Sequence, residues 1–377
     1  KVSKMENRVK SIFGSYAEQL QVLVNTNLDA FKVPVWKKFF TLGNPQMGLT
    51  YATAVGKSRI EAAASVVEHG SEAPLRSRAA ADRYTGEVAA IKVKRKMDEQ
   101  EYRNYLTMQA VSTNDEAKKQ QIIRLIWDDV SYVVNSVNAR IDYMVGQALS
   151  TGKVKLDITT NPDGIVPGEI DLLVSYNQTG KAAFAVNSAN RAWSDANAAT
   201  AVPLTDIRYA VRDHWKKYGT VFAKILMTPE MLWVLLNNKQ VQEHLKGSLG
   251  TVAGQDALFS QANLNAYLAA QGLPVIELFD AKGAVEKDGK IVPVDLWADS
   301  KYVTFIPAGD VGVIHNAVPI EQIAPVAGVQ YASTDNILVS KWSQTEPFGE
   351  FTRGEISAFP GLEVADQMLI VDTSVAN

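Results

Sequence analysis

Gly56-Lys57-Ser58 carries the closing residues of a phosphate-binding loop, in which backbone N–H groups cradle phosphates and the lysine reaches the outer ones. That chemistry also needs a glycine five residues before Gly56, where Tyr51 stands, so the cradle is missing. The four histidines, His69, His214, His244 and His315, lack the i, i+4 spacing of helical zinc ligands, and each reads as a surface or structural residue. Asp128 and Asp129 are neighbours on a helix and point about 100° apart, which disfavours a paired-carboxylate acid–base site and suits a solvated outer face. Gly247-Ser248-Leu249-Gly250 reads as a loop without the frame of a nucleophile elbow. Asn177-Gln178-Thr179 fits a glycosylation acceptor, but no secretion signal accompanies it. The absence of cysteine excludes disulfides, thiolate metal sites and cysteine nucleophiles together. No catalytic, cofactor or metal constellation is expected, and the chain reads as a non-enzyme.

Composition narrows the class further. The 377 residues, 46% hydrophobic and 21% charged, suffice for one large or two to three smaller cores. A net charge of -3 argues against a chain built mainly to neutralise phosphates. No apolar run reaches the roughly 18 residues that span a bilayer, so no membrane partner is expected and synthesis in the cytosol is.

The elements follow from periodicity. Ser3 and Glu6 in capping-box spacing precede Met5, Val9, Ile12, Phe13, Tyr16, Leu20 and Leu23, which predicts an amphipathic helix to about Asn25. From Phe31 to Thr53 the irregular run with Trp36, Phe39 and Phe40 is expected to expose aromatics that want a neighbour, or else to lie as a loop on its own domain. Residues 57–96 hold few large apolar side chains and a basic run, Arg76, Arg78, Arg83, Lys92, Lys94, Arg95 and Lys96. They read as a long β-hairpin with its tip around Glu72 to Arg83, which is marginal in isolation and must lean on something else.

Thr113 and Glu116 form a second capping box ahead of Ile122, Ile126, Val130, Val133, Val137, Ile141, Met144 and Ala148. This single stripe predicts a helix from about Asn114 to Ser150, stopped at Gly152 and about 55 Å long, lying along one surface. The period then becomes two, with Val154, Leu156 and Ile158, a Pro162-Asp163-Gly164 turn, and Ile170, Leu172 and Val174 as a hairpin on that helix. A small-residue stretch, Asn187 to Ala201, leads into a separate α/β domain. It holds a Thr205-capped helix to Tyr218, a strand Val221 to Met227, a Thr228-capped helix, a helix from Ser260 to Gln271, a hairpin at Asp288-Gly289 and a strand Tyr302 to Ile306. Terminal strands Ile337 to Trp342, Phe351 to Phe359 and Met368 to Val371 are expected to rejoin the earlier hairpin, which makes the second domain an insertion.

Gly86-Glu87-Val88-Ala89-Ala90-Ile91-Lys92-Val93-Lys94 and Ile141-Asp142-Tyr143-Met144-Val145-Gly146-Gln147-Ala148-Leu149-Ser150-Thr151-Gly152-Lys153-Val154 stand in this order of elements, with Glu346-Pro347 and Pro360 before Met368-Leu369-Ile370-Val371. The ordered set resembles the major capsid proteins of tailed phages, within them the lambda-type major capsid protein E family, over nearly the whole chain. The resemblance implies an α+β chain with the Hong-Kong-ninety-seven-like fold. Its parts would be an N-terminal arm (1–56), an extended loop (57–96), a peripheral domain with the spine helix (97–187), an axial domain (188–325) and returning C-terminal strands (326–377). It implies a subunit that self-assembles, as hexamers and pentamers, into the icosahedral shell around a double-stranded DNA genome. Scaffolding, portal and decoration proteins are its expected partners, and it would pass from host cytoplasm to virion.

Inter-subunit contacts are then expected from the basic run 76–96 toward a neighbour's carboxylates, with Asp98, Glu99 and Glu101 as candidates, and from Trp36, Phe39 and Phe40. Relatives that cross-link use a lysine on the extended loop; none stands from Ser58 through Ile91, so a non-covalent lattice is expected. Lys1, Lys4, Arg8, Lys10, Lys37 and Lys38 could face packaged DNA or only solvent. Two rivals remain, an encapsulin-like compartment shell and a two-domain α/β enzyme closing on a small ligand.

Overall fold

The computed structural model describes residues 20–54, 83–111, 115–156, 160–161, 172–175, 192–249, 259–287, 289–346 and 348–374. The chain starts with α1 (Leu20–Thr26), the end of the helix expected from Ser3, whose capping box lies outside the described residues. A 3-10 turn at Val35–Lys38 leads to β1 (Phe40–Leu42). β2 (Thr50–Ala54) and β3 (Arg83–Glu87) pair antiparallel, so the hairpin starts before the expected residue 57 and its return ends at Glu87, because the chain from Ala89 on pairs with a later strand; residues 72–82 of the expected tip lie outside the described residues. β4 (Ala89–Met97) and α2 (Glu99–Val111) follow. Periodicity did not disclose α2, yet it has a capping box: Glu101 N donates to Asp98 Oδ1 at 2.9 Å and Asp98 N to Glu101 Oε2 at 3.2 Å.

α3 (Asp115–Thr151) is the predicted long helix, ended by Gly152 in the left-handed region with φ 66°. Its expected cap at Thr113 lies outside the described residues. Ile126, Val130, Val133, Val137, Ile141, Met144 and Ala148 are all buried, as the stripe required. The single-sided character needs correction, because Val134, Tyr143, Val145 and Leu149 are buried too. From Ile141 to Ser150 α3 is buried at every position but the half-buried Gln147, since two sheets flank it. β5 (Lys153–Leu156) and β6 (Leu172–Ser175) form the predicted hairpin, with Val154 buried beneath it and the Pro162 turn outside the described residues.

The second unit contains α4 (Pro203–Tyr218), β7 (Phe222–Met227), α5 (Pro229–Asn237), α6 (Lys239–Leu249), α7 (Gln261–Ala270) and β8 (Val275–Leu278). The cap of α4 is Val202 with Pro203 at the first helical position, not Thr205, whose hydroxyl instead accepts from Gln240 Nε2 at 2.7 Å. Thr228 does cap α5, accepting from Met231 N at 3.3 Å. Residues 247–249, expected as loop, close α6, where an apolar face with Val241 and Leu245 buried drives helix formation.

The remaining elements are β9 (Lys282–Lys287), β10 (Lys290–Asp295), β11 (Tyr302–Pro307), β12 (Gly312–Ala317), α8 (Ile320–Ile323), β13 (Gln330–Thr334), β14 (Ile337–Thr345), β15 (Phe348–Leu362) and β16 (Leu369–Asp372). β9 and β10 make the predicted hairpin. One sheet runs β1-β12-β15-β14-β13, with β4 pairing β15 as well, and the other runs β16-β11-β7-β8. The terminal strands therefore depart from expectation: β14 and β15 join β4, β12 and β13 instead of β5 and β6, while β16 crosses to β11. Two cores result, one around α3 and β15, the other among α4 to α7 with Leu369 and Val371 contributed by β16. Two sheet edges are capped by amide side chains. Gln21 exchanges hydrogen bonds with the Ser333 backbone on β13 (2.7 and 3.1 Å), and Asn265 does so with Ile276 on β8 (2.7 and 2.8 Å).

Close approaches lock α3 in place. A Cβ on Gly354 of β15 would meet the Val133 carbonyl oxygen at 3.0 Å, and one on Gly146 would run into the backbone carbonyl of Leu296. In an open helix Gly146→Ala would stabilise by about 1 kcal/mol, but overpacking here is expected to reverse the sign to a net loss of about 2 kcal/mol. Thermal unfolding reads the difference; an unchanged or raised midpoint would contradict the close approach.

Candidate inter-subunit surface

β4 lies antiparallel to β15, from Glu350↔Met97 to Ala358↔Ala89, so its basic side chains meet partners in their own chain. Lys92 Nζ is 2.7 Å from Glu355 Oε1, and Arg95 Nη1 is 3.3 Å from Asp129 Oδ1 on α3. Lys94 Nζ lies 5.0 Å from the Phe351 ring centre. Arg83 opens β3, while Arg76 and Arg78 fall outside the described residues. The expected carboxylates are engaged locally, Asp98 and Glu101 in their mutual cap and Glu99 with Arg103 at 2.6 Å. Lys96 lies exposed on β4. The Lys92 and Arg95 side chains stay 52% and 49% exposed, so pairing leaves them accessible to a second partner.

The aromatic segment needs a clearer correction. Trp36, Phe39 and Phe40 are each only 2% exposed. Trp36 N donates to Asp142 Oδ1 at 2.7 Å and its Nε1 to Asn138 Oδ1 at 3.1 Å, while Phe39 stacks on Phe279 with centres 6.1 Å apart. The covering surface they required is α3 and the Phe279 loop of the same chain. Burial raises the pKa of Asp142, with the Trp36 and Val35 backbone N–H groups opposing it.

Under β4 lies a polar layer that sequence reasoning missed. Lys341 of β14 is buried, with Nζ 2.9 Å from Thr352 Oγ1 and 4.0 Å from Asp129 Oδ2. Burial lowers the Lys341 pKa against the pull of Asp129 and Glu350, and raises that of Asp129 against Lys341 and Arg95. Asp129 is thus buried and paired, while its neighbour Asp128 takes the solvated position expected of both. Beside this layer Arg353 Nη2 reaches Glu321 Oε2 at 2.6 Å and Glu355 Oε2 at 3.4 Å. The Arg353 hydrogen bond holds Glu321 below the usual carboxylate range. Lys341 closes the run Ile337-Leu338-Val339-Ser340 of β14, all of it buried, and by strand period shares a face with Val339, which was the one available hint of an inward-facing cation.

The histidines do not converge. His214 is buried against Tyr218 and Phe222, His244 meets Tyr267, and His315 stacks on Tyr51 with ring centres 4.7 Å apart. Burial lowers the His315 pKa and pushes Tyr51 up to about 12. Among the described residues no group of three or more His, Cys, Asp or Glu could hold a metal ion, and no helix is long and apolar enough to cross a membrane.

One long helix, α3, thus registers both sheets and the N-terminal segment, in part through buried polar and charged groups. The sequence matches the phage major capsid protein E family over residues 24–362, and the chain belongs to that family. Its fold is similar to that of a prophage capsid protein from Escherichia coli CFT073, with TM-score 0.55 and 14% identity over 94% of this chain and 98% of that one. It is also similar to a phage-related protein from Bordetella bronchiseptica RB50, with TM-score 0.50 and 10% identity over 94% and 96%. No curated protein sequence matches significantly. The fold is that of the Hong-Kong-ninety-seven-like capsid proteins, and the chain is a shell-forming phage structural protein.

Two predictions follow from the charged layer. Asp129→Asn should cost about 3 kcal/mol by removing a carboxylate that faces the buried Lys341, whereas Asp129→Leu with Lys341→Met should be close to neutral in denaturant unfolding. With its folded pKa below the ordinary 10.5, Lys341 binds fewer protons folded than unfolded, so the Asp129→Asn deficit should shrink as pH rises toward that value. Glu321 has the opposite dependence. Lowered from 4.5, it supports the fold above that pH and loses its contribution as pH falls through the lowered value, so Glu321→Gln should flatten the acid limb of a stability profile.

Proposed function

We propose that this chain is the major capsid protein whose copies, as hexamers and pentamers, close the icosahedral shell around the double-stranded DNA of a tailed phage. The match to the capsid family over residues 24–362 carries this reading. Residues 1–56 serve as the arm, 57–96 as the extended loop, 97–187 with the returning strands 326–377 as the peripheral domain, and 188–325 as the axial domain. β12 and β16 qualify those limits, since residues 312–317 pair in the first sheet and Leu369 and Val371 fill the second core.

The subunit has no catalytic role. Shell contacts come from the exposed cations of β4 and from the stretch between β2 and β3, with Lys92 and Arg95 already oriented by Glu355 and Asp129. Assembly takes place in the host cytoplasm with scaffolding and portal proteins, DNA lies against the inner face, and a decoration protein reinforces the lattice. The absence of lysine from Ser58 through Ile91 supports a shell without isopeptide bonds.

Electron microscopy of the protein expressed alone and with its neighbouring genes tests the reading. Closed shells, DNA-filled in the phage context, are expected; shells enclosing protein cargo, or a soluble monomer at every concentration, would contradict it. Mass spectrometry of dissociated shells should return single subunits, and a covalent ladder would refute the non-covalent lattice.

A further inference from the structure

On the outer face of α4 a concavity of about 540 Å3 is lined by Arg208, Tyr209, Arg212, Trp215, Val221 and neighbouring residues. Trp215 is 56% and Val221 63% exposed, and the Arg212 guanidinium lies 4.8 Å from the Tyr209 ring centre. Neither Arg208 nor Arg212 has a carboxylate partner among the described residues. Exposed tryptophan, tyrosine and arginine around a hollow are the residue types that dominate protein interfaces. The concavity is a cationic, aromatic socket.

The same unit carries a matching projection. Trp233 on α5 is 63% exposed and shares its helix face with Glu230, three residues earlier. Asp280 is exposed and follows Phe279, whose N donates to Met227 O at 2.9 Å, three residues before Glu230 at the start of α5. Lys282 is paired with Asp295 at 3.0 Å, and neither Glu230 nor Asp280 has an ion-pair partner among the described residues. Two other prominent apolar side chains fit less well. Ile291, 79% exposed, follows Lys290 on a strand whose partner ends in Lys287, and Ile320 adjoins Glu321, already held by Arg353.

The geometry points to a head-to-tail contact between copies of this chain, in which Trp233 of one subunit enters the α4 concavity of the next and Glu230 and Asp280 face Arg208 and Arg212. Because socket and projection are different surfaces, the contact is heterologous, the type of interface that a hexameric or pentameric ring requires. The inference rests on the capsid reading and names the residues that close its rings.

Charge reversal tests it. Arg208→Glu with Arg212→Glu, and separately Glu230→Arg with Asp280→Arg, should each cut the yield of sedimenting shells about tenfold or more, the scale of facing like charges. All four changes together should bring shells back, and Trp233→Ala should lower the yield with the circular dichroism of the subunit unchanged. Wild-type shells with either reversal as productive as wild type, or a combined variant no better than the worse reversal, would overturn this contact while leaving the capsid reading standing. A wild-type chain that forms no shells would remove both.

Discussion

The burial of the C-terminal half of α3 between two sheets is the constraint on which the rest of the architecture depends. One side lies on β15, so close at Gly354 that a methyl group would touch the Val133 backbone. Its end reaches the other sheet, where Thr304 Oγ1 donates to Leu149 O at 2.8 Å and Ala298 N donates to Ser150 Oγ at 3.2 Å. The aromatic segment is fixed to the same helix through Asp142 and Asn138. Buried polar groups are costly unless paired, and these are paired with backbone or indole donors, so they set position as well as offsetting their own desolvation. Sheets, hairpin and N-terminal segment are thereby registered to one rod.

The charged layer under β4 has a different role. Desolvation works against both Lys341 and Asp129, and a buried pair of this kind is weak evidence for stability. Its physical effect is to favour one register of β4 and β14 against α3, because a slip of one residue in either strand would remove one of the cations that Asp129 faces. A further constraint is to keep open sheet edges from indiscriminate pairing with another chain, as charged side chains along an edge can do. Gln21 and Asn265 achieve the same at β13 and β8 by occupying backbone groups directly. A protein that must meet many copies of itself through chosen surfaces benefits from closing the others.

Much of this was legible in the residues, and the failures share a cause. The α3 stripe, the Thr228 cap, the Gly152 stop and the β9–β10 turn are local signals, and each appears where its spacing placed it. Whether Trp36, Phe39 and Phe40 would seek another subunit or lie on their own domain stayed open because their covering partners, α3, Phe279 and β12, are about a hundred or more residues away in sequence, which no local pattern discloses. β16 likewise joins β11 across a separation that periodicity cannot bridge. α2 was missed although Asp98 and Glu101 carry a capping box, because its surface is largely polar and offers no stripe. The Lys341 and Asp129 pair was hidden because a charged residue in a strand ordinarily reads as solvent-facing.

Native-state hydrogen exchange on the dissociated subunit tests most directly whether α3 joins both cores into one body. Amides of α3 from about Ile141 onward, of β15 and of β11 should exchange last and together, through a single global opening. Early exchange of β7 and β11 while α3 and β15 stay protected would show two independently opening units and contradict the account.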